Sequence, residues 1–270
     1  MKKDHLIIVR GGGDLATGTI FRLHAAGFKV LVLETEHPAA IRRTVSFCEA
    51  VYEGKAAVEG TEAVKIEALS RMDTVFAEDR IPVLVDPEGK AVEAVKPDAV
   101  VDAILAKKNM GTTRRMAPLT IALGPGFTAG KDVDAVIETM RGHNLGRIIR
   151  EGCALPDTGV PGMIAGHAAD RVIHAPADGI FHNISRIGSL TEKGREIAWV
   201  ESVNGHVPVN ASLTGILRGL LREGYPVTRG FKIADIDPRL EQVKNCYTIS
   251  DKARCIAGSV LEVICAQLCE

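Results

Sequence analysis

The chain has 270 residues, 46% of them hydrophobic, with a formal charge of −1, which is enough for one large or two ordinary domains with real cores. Balanced charge gives no electrostatic case for nucleic acid, no apolar run approaches the length of a membrane span, and Met1–His5 leads straight into a strand-like run. The composition therefore predicts a soluble cytoplasmic protein without nucleic-acid or membrane partners.

The first informative stretch runs from Leu6 to Glu34. Leu6–Val9 is a short apolar run of buried-strand character, and Gly11-Gly12-Gly13-Asp14-Leu15-Ala16-Thr17-Gly18 comes next. Apolar residues at Leu15, Ile20, Leu23 and Ala26 then give a helical period that Gly27 closes, and Lys29–Leu33 is a second strand ending at Glu34. Strand, glycine turn, helix, strand and terminal acid form the mononucleotide half of a Rossmann unit. Gly11 allows the sharp turn, and Gly13 lets a pyrophosphate approach the backbone N–H groups and the helix dipole. Glu34, at the end of the second strand, is placed to accept hydrogen bonds from a ribose diol and would repel a 2′-phosphate. The competing reading is a tight turn without a ligand.

Further along, 38–43 reads as a short helix carrying Arg42 and Arg43, and 45–51 as a strand. A turn at Gly60 precedes an extended piece over 62–67, 69–78 is helical by pattern, and 81–85 and 99–105 are compact apolar strands. Strands alternating with helices predict a mostly parallel sheet, whose ligands bind at the carboxyl ends of the strands. Lys107, Lys108 and Asn109 fall in such a loop, where the lysines either meet a phosphate or are solvated surface charge. Another strand, 119–123, leads into Gly124-Pro125-Gly126-Phe127-Thr128-Ala129-Gly130-Lys131-Asp132 and a helix over 133–141. The spacing is not that of a Walker A loop, and Asp132 stands where Ser or Thr would bind magnesium, so ATP hydrolysis is rejected. A second glycine turn at a helix N-terminus, with Gly124 and Gly126, remains as a candidate anion cradle.

A Gly/Pro-rich loop over 151–169 marks a domain boundary. Cys153 in that loop is the candidate reactive thiol, although no base partner is visible; Cys265 and Cys269 stand four apart on a terminal helix but form no metal motif. The second half carries an internal repeat: aligning 175–200 with 211–236 at an offset of 36 gives eight identities over 26 positions, against ~2 expected by chance. Each copy reads as short strands broken by glycine turns, and two interlocked copies resemble the barrel-sandwich hybrid of biotinyl and lipoyl domains. The connector 201–208 has no lysine to carry such a cofactor. A final helix spans 251–268. The organisation expected is α/β: a Rossmann-like, mostly parallel nucleotide-binding domain (1–160), a smaller barrel-sandwich-like β module built from the repeat (161–240), and a C-terminal helix (241–270) that packs back on the core.

Several runs add a family resemblance: Arg10–Gly18, Val101-Asp102-Ala103 with Lys107-Lys108-Asn109, Gly124-Pro125-Gly126-Phe127, Arg141-Gly142-His143, Thr158–Gly162 and Ile249–Arg254. Together they resemble the YqeB-type accessory proteins of selenium-dependent molybdenum hydroxylase systems, and the N-terminal part resembles the XdhC-type maturation factors of xanthine dehydrogenases. The resemblance implies a maturation role toward a molybdenum hydroxylase partner, assisting cofactor or selenium insertion, and leaves a homodimer open. The bound group would be an NAD-like dinucleotide or a molybdopterin (dinucleotide) cofactor, held by Gly11, Gly12, Gly13, Asp14, Leu15, Glu34, Lys107, Lys108, Asn109, Gly124 and Gly126. No metal ligand set and no catalytic set emerges. The alternatives are an NAD-dependent oxidoreductase, for which His143 is the one well-placed loop histidine, and a purely structural adaptor.

Overall fold

A computed structural model describes residues 4–159 and 162–268. Two compact units emerge. The first comprises residues 1–38, 46–158 and 249–270, and the second 39–45 and 159–248.

In the first unit, β1 (Leu6–Arg10), α1 (Asp14–Ala25) and β2 (Lys29–Glu34) succeed one another as the apolar pattern predicts. Next come α2 (Ala50–Glu53), the hairpin β3 (Lys55–Val58) and β4 (Thr61–Ile66), α3 (Met72–Ala77), β5 (Ile81–Val85), α4 (Ala91–Val95), β6 (Ala99–Asp102) and β7 (Leu119–Leu123). Short strands β8 (Thr128–Ala129), β9 (Ala135–Ile137), β10 (Ile148–Ile149) and β11 (Gly152–Cys153) complete the run, and β8 pairs with β11. The main sheet has nine strands in the order β10-β9-β7-β6-β1-β2-β5-β4-β3. Its core strands are buried on both faces: Ile7, Ile8, Val9, Val30–Val32 and Val100–Val101 are fully buried.

Sequence reasoning expected a Rossmann-like, mostly parallel sheet followed by a barrel-sandwich-hybrid-like module, and that description is corrected. The large sheet is mixed, with antiparallel pairs at both ends, β3 with β4 and β9 with β10. The β3–β4 hairpin arises because Glu59 and Gly60 both take positive φ, the geometry of a two-residue turn that reverses the chain. The expected helix over 133–141 is also absent: Ala135–Ile137 are wholly buried and form β9. Asp134 holds this run to β7 by accepting from both the amide and the hydroxyl of Thr120. Over 45–51 the error runs the other way. Three-residue 3₁₀ turns at Arg43–Val45 and Phe47–Glu49 lead into α2, because the amides of Phe47 and Cys48 donate to Thr17 Oγ1 and Gly12 O and pin the segment against the first turn of α1.

The second unit contains β12 (Val172–His174), β13 (Gly179–Asn183), β14 (Leu190–Thr191), β15 (Glu196–Ser202), β16 (Gly205–Asn210), β17 (Gly215–Leu220), β18 (Pro226–Val227) and β19 (Lys232–Asp237). These make two four-stranded antiparallel sheets, β12-β19-β17-β14 and β16-β15-β13-β18. An offset of 36 carries β13, β14 and β15 onto β17, β18 and β19, so each sheet takes strands from both copies of the repeat. Backbone bonds are exchanged in matched pairs: Gly188 N to Leu217 O mirrors Gly224 N to Phe181 O, and Gly194 N to Ala211 O mirrors Gly230 N to Ala175 O. A Cβ on Gly179 would collide with Glu201 O, and one on Gly215 would lie 2.5 Å from Asp237 O, at equivalent places in the two copies.

Helix α5 (Asp251–Leu268) belongs to the first unit, where Ala253, Ile256, Ala257 and Val260 are fully buried. Gly18 of α1 allows the close approach, since a Cβ there would lie 2.8 Å from the Cβ of Ala253. Among the described residues no helix is long and apolar enough to cross a membrane. Of the two cysteines spaced four apart, Cys265 lies on this helix and Cys269 lies outside the described residues.

Candidate functional site

The turn after β1 uses its three glycines differently. Gly11 has φ +95°, donates its amide to Leu33 O at 2.8 Å, and would drive a Cβ to 2.9 Å from Ala103 O. Gly12 is wedged against the next segment, where a Cβ would meet Cys48 N at 2.9 Å. Gly13 is unlike both. Its φ is −65°, a conformation open to any residue, and nothing lies within 4 Å of where a Cβ would stand. It is the N-cap of α1 and supplies no side-chain cap, so backbone N–H groups of the first turn, with Asp14 and Leu15 half-buried beside them, form the positive end of a 12-residue helix.

Glu34 reaches this turn from the end of β2. Its Oε2 accepts the Gly12 amide at 2.7 Å and its Oε1 the Thr35 amide at 2.8 Å. Burial raises the carboxyl's pKa above the usual glutamate value, with those two amides pulling the other way. Beneath it lies Cys48, buried, whose thiol is pushed well up by burial and then by the charges of Glu34, Glu49 and Asp14. The surroundings of the turn are thus acidic. Sequence reading missed Cys48 and Glu49 because it placed them on a strand.

A second feature missed from sequence is a buried polar network across the neighbouring strand ends. Arg10, 2% exposed at the end of β1, donates to Thr112 Oγ1 at 2.5 Å and to Pro87 O at 3.0 Å. Thr112 Oγ1 in turn donates to Asp102 Oδ2 at 2.6 Å. Burial raises the Asp102 pKa, opposed by its hydrogen bonds from Thr112 and the Ile104 amide and by the Arg10 charge. The network ties the loop after β6 to the ends of β1 and β5. An arginine at the last position of a buried strand, with an aspartate at the last position of another, was the available signal.

The loop after β6 holds the other candidates. Asn109 folds back on the loop, accepting from the amides of Gly111 and Thr112 at 2.8 Å each, and so shapes the turn. Lys107 Nζ pairs with Asp157 at 2.6 Å on the surface, and Lys108 is exposed. Gly126 lies against this loop, where a Cβ would come within 2.7 Å of the Lys108 Cα. Gly124, with φ +77°, abuts Thr139. The 124–130 loop leads into β8 and β9 rather than into a helix, so no helix dipole faces it and the second anion cradle expected there is not formed. Gly11–Gly13, Glu34 and the 103–112 and 124–126 loops do gather at the carboxyl ends of β1, β2, β6 and β7.

Away from this edge, Cys153 is exposed with its Sγ 3.4 Å from Thr128 Oγ1, and His143 is exposed. Among the described residues no group of three His, Cys, Asp or Glu side chains could hold a metal ion.

The fold and this site define an α/β protein with a mixed nine-stranded sheet and a glycine turn at the carboxyl edge of its parallel strands. No protein-family model matches the chain. Over 269 residues, 98% of the chain, it is 50% identical to the uncharacterized protein YqeB of Escherichia coli (strain K12), and it spans about half the length of that relative, 49%. Among solved structures it aligns with the ectoine utilization protein EutE (DoeB) of Ruegeria pomeroyi in its product-bound form (TM-score 0.29, 12% identity, covering 87% of this chain and 86% of that one). It also aligns with a succinylglutamate desuccinylase/aspartoacylase of Rhodobacter sphaeroides (TM-score 0.28, 15% identity, 87% and 85% covered). At such scores the likeness assigns no activity to this chain.

These comparisons correct the functional expectation drawn from sequence. The relative is itself uncharacterized and lends no support to molybdenum-hydroxylase maturation, selenium insertion, an XdhC-type role or NAD-dependent oxidation. The maturation role and the oxidoreductase alternative are both set aside.

Proposed function

We propose that the first unit binds a phosphate-bearing nucleotide, of the NAD-like dinucleotide class, at the carboxyl edge of β1, β2 and β6. Gly13 and the first turn of α1 receive the phosphate, and Glu34 receives the ribose diol. The observation that carries this reading is Gly13. Gly11 and Gly12 are required by a positive φ and by close backbone neighbours, whereas neither backbone conformation nor packing requires a glycine at 13. What the missing side chain leaves is open access to uncapped N–H groups at a helix N-terminus, the arrangement that suits an anion. The acidic surroundings favour a ligand that brings hydroxyl donors to Glu34 and keeps its phosphate on the α1 side. Lys107 and Lys108 supply the basic rim.

The reading is tested by isothermal titration of the chain with ADP and with adenosine. ADP should bind saturably and more tightly than adenosine. Because space surrounds Gly13, Gly13→Val should fold with an unchanged unfolding midpoint yet bind ADP at least about tenfold more weakly. Equal affinity for the wild type and Gly13→Val, or no heat with ADP at all, rejects the site.

A further inference from the structure

The two copies of the repeat present equivalent outer sheet faces, and only one is covered. On the β17 side, Ile216 is 3% exposed, whereas its counterpart 36 residues earlier, Ile180, is 37% exposed and Ile184, just past the end of β13, is 54% exposed. The cover is local to the second unit. Ile41 lies against Gly219, its carbonyl accepts the Leu220 amide at 2.8 Å, and Arg43 Nε donates to Leu220 O at 2.9 Å. Arg42 is 5% exposed and donates to Asn245 O and Thr248 O, fastening the same segment to residues C-terminal to β19.

The uncovered face carries its own charge pattern. Trp199 is stacked between His182 (centroids 4.3 Å apart) and His206 (4.6 Å). Glu223 and Glu201 hold His182, and Glu196 holds His206. Three carboxylates against two imidazoles leave this patch negative in every protonation state of the histidines. At the positions of His182 and Trp199 the covered face has Arg218 and Asp235, which meet in an ion pair joined by Arg171. Asn183 occupies the place of Gly219, where Ile41 is seated on the twin face; its Oδ1 is buried and has no donor among the described residues.

We propose that the open face of the β16-β15-β13-β18 sheet is a docking surface for an extended basic segment of a partner protein, one that places an aliphatic side chain beside arginine. Two observations identify the occupant: the twin face already takes the sequence Ile41-Arg42-Arg43, and the open face is net acidic. Ile180 and Ile184 supply the apolar contact, and the carboxylates around the stacked rings supply the charge.

Trp199 is the sole tryptophan of the chain, so its fluorescence reports on this face directly. The probe is the peptide Ala-Ala-Ile-Arg-Arg-Thr-Val, the sequence of residues 39–45, titrated into the full chain. A saturable change in Trp199 emission is expected, weakened at least about tenfold when both arginines of the peptide are replaced by glutamate. Ile184→Asp, a change at an exposed position, should abolish the signal while leaving the unfolding midpoint in place. Binding that survives Ile184→Asp, or that is indifferent to the charge of the peptide, overturns the proposal. So does silence at millimolar peptide. Concentration-dependent self-association that Ile184→Asp removes also overturns it, by giving the face to a second copy of this chain.

Discussion

The first unit builds two glycine-rich turns at the carboxyl ends of parallel strands, 11–13 after β1 and 124–126 after β7, and they differ in the element each one enters. After Gly13 the chain begins a 12-residue helix whose first N–H groups have no side-chain cap. After Gly126 it begins two short strands, and the glycines there face a lysine backbone and a threonine side chain. Glycine content alone therefore does not make an anion site. The difference lies in whether each missing Cβ is demanded by the fold or left over.

That contrast can be broken by adding side chains one position at a time. The largest loss is expected for Gly126→Val, where φ +107° and backbone at 2.7 Å leave nowhere for a branched side chain. Strain and overpacking together should cost roughly 3 kcal/mol or more in chemical denaturation. Gly12→Ala should cost about 1–3 kcal/mol, because its Cβ meets the Cys48 backbone but its φ is ordinary. Gly13→Val should sit at the opposite extreme, within about 0.5 kcal/mol of wild type. A loss at Gly13 as large as at Gly12 would erase the distinction between the two positions.

Glu34→Gln sharpens the comparison through pH. Burial raises the folded pKa of Glu34 above 4.5, so the folded state holds this proton more tightly than the unfolded chain does. Stability that the protonated group contributes is full below 4.5 and is lost as pH rises through the raised value. Glutamine keeps an acceptor for the Gly12 amide without the buried charge. The variant should be more stable than wild type at neutral pH, and its advantage should shrink toward zero as the pH falls below 4.5. Denaturation midpoints measured across that range decide it; an advantage independent of pH would show that charge burial is not what strains the site.

What was legible in the sequence was what local periodicity controls. β1, α1, β2, β5, β7 and α5 appear where the apolar pattern places them, and the offset of 36 is realised down to paired backbone bonds. What was not legible depended on distant partners. Val133–Ile137 has the composition of either element, and burial beside β7 makes part of it a strand. Residues 45–51 become helical turns because Thr17 and Gly12 bond their amides. The Arg10–Thr112–Asp102 network joins residues about a hundred positions apart, a pairing that no short-range pattern announces.

The exchanged hydrogen bonds of the repeat also bear on how the second unit can form. Gly188 needs Leu217 and Gly224 needs Phe181, so neither copy completes its strands without the other. A polypeptide carrying one copy would have to find these partners on a second molecule, as strand-swapped pairs do. Tethering the copies turns that encounter into a first-order event. It also makes closure wait on loops of about thirty to forty residues, which favours a late, all-or-none step in the folding of this unit.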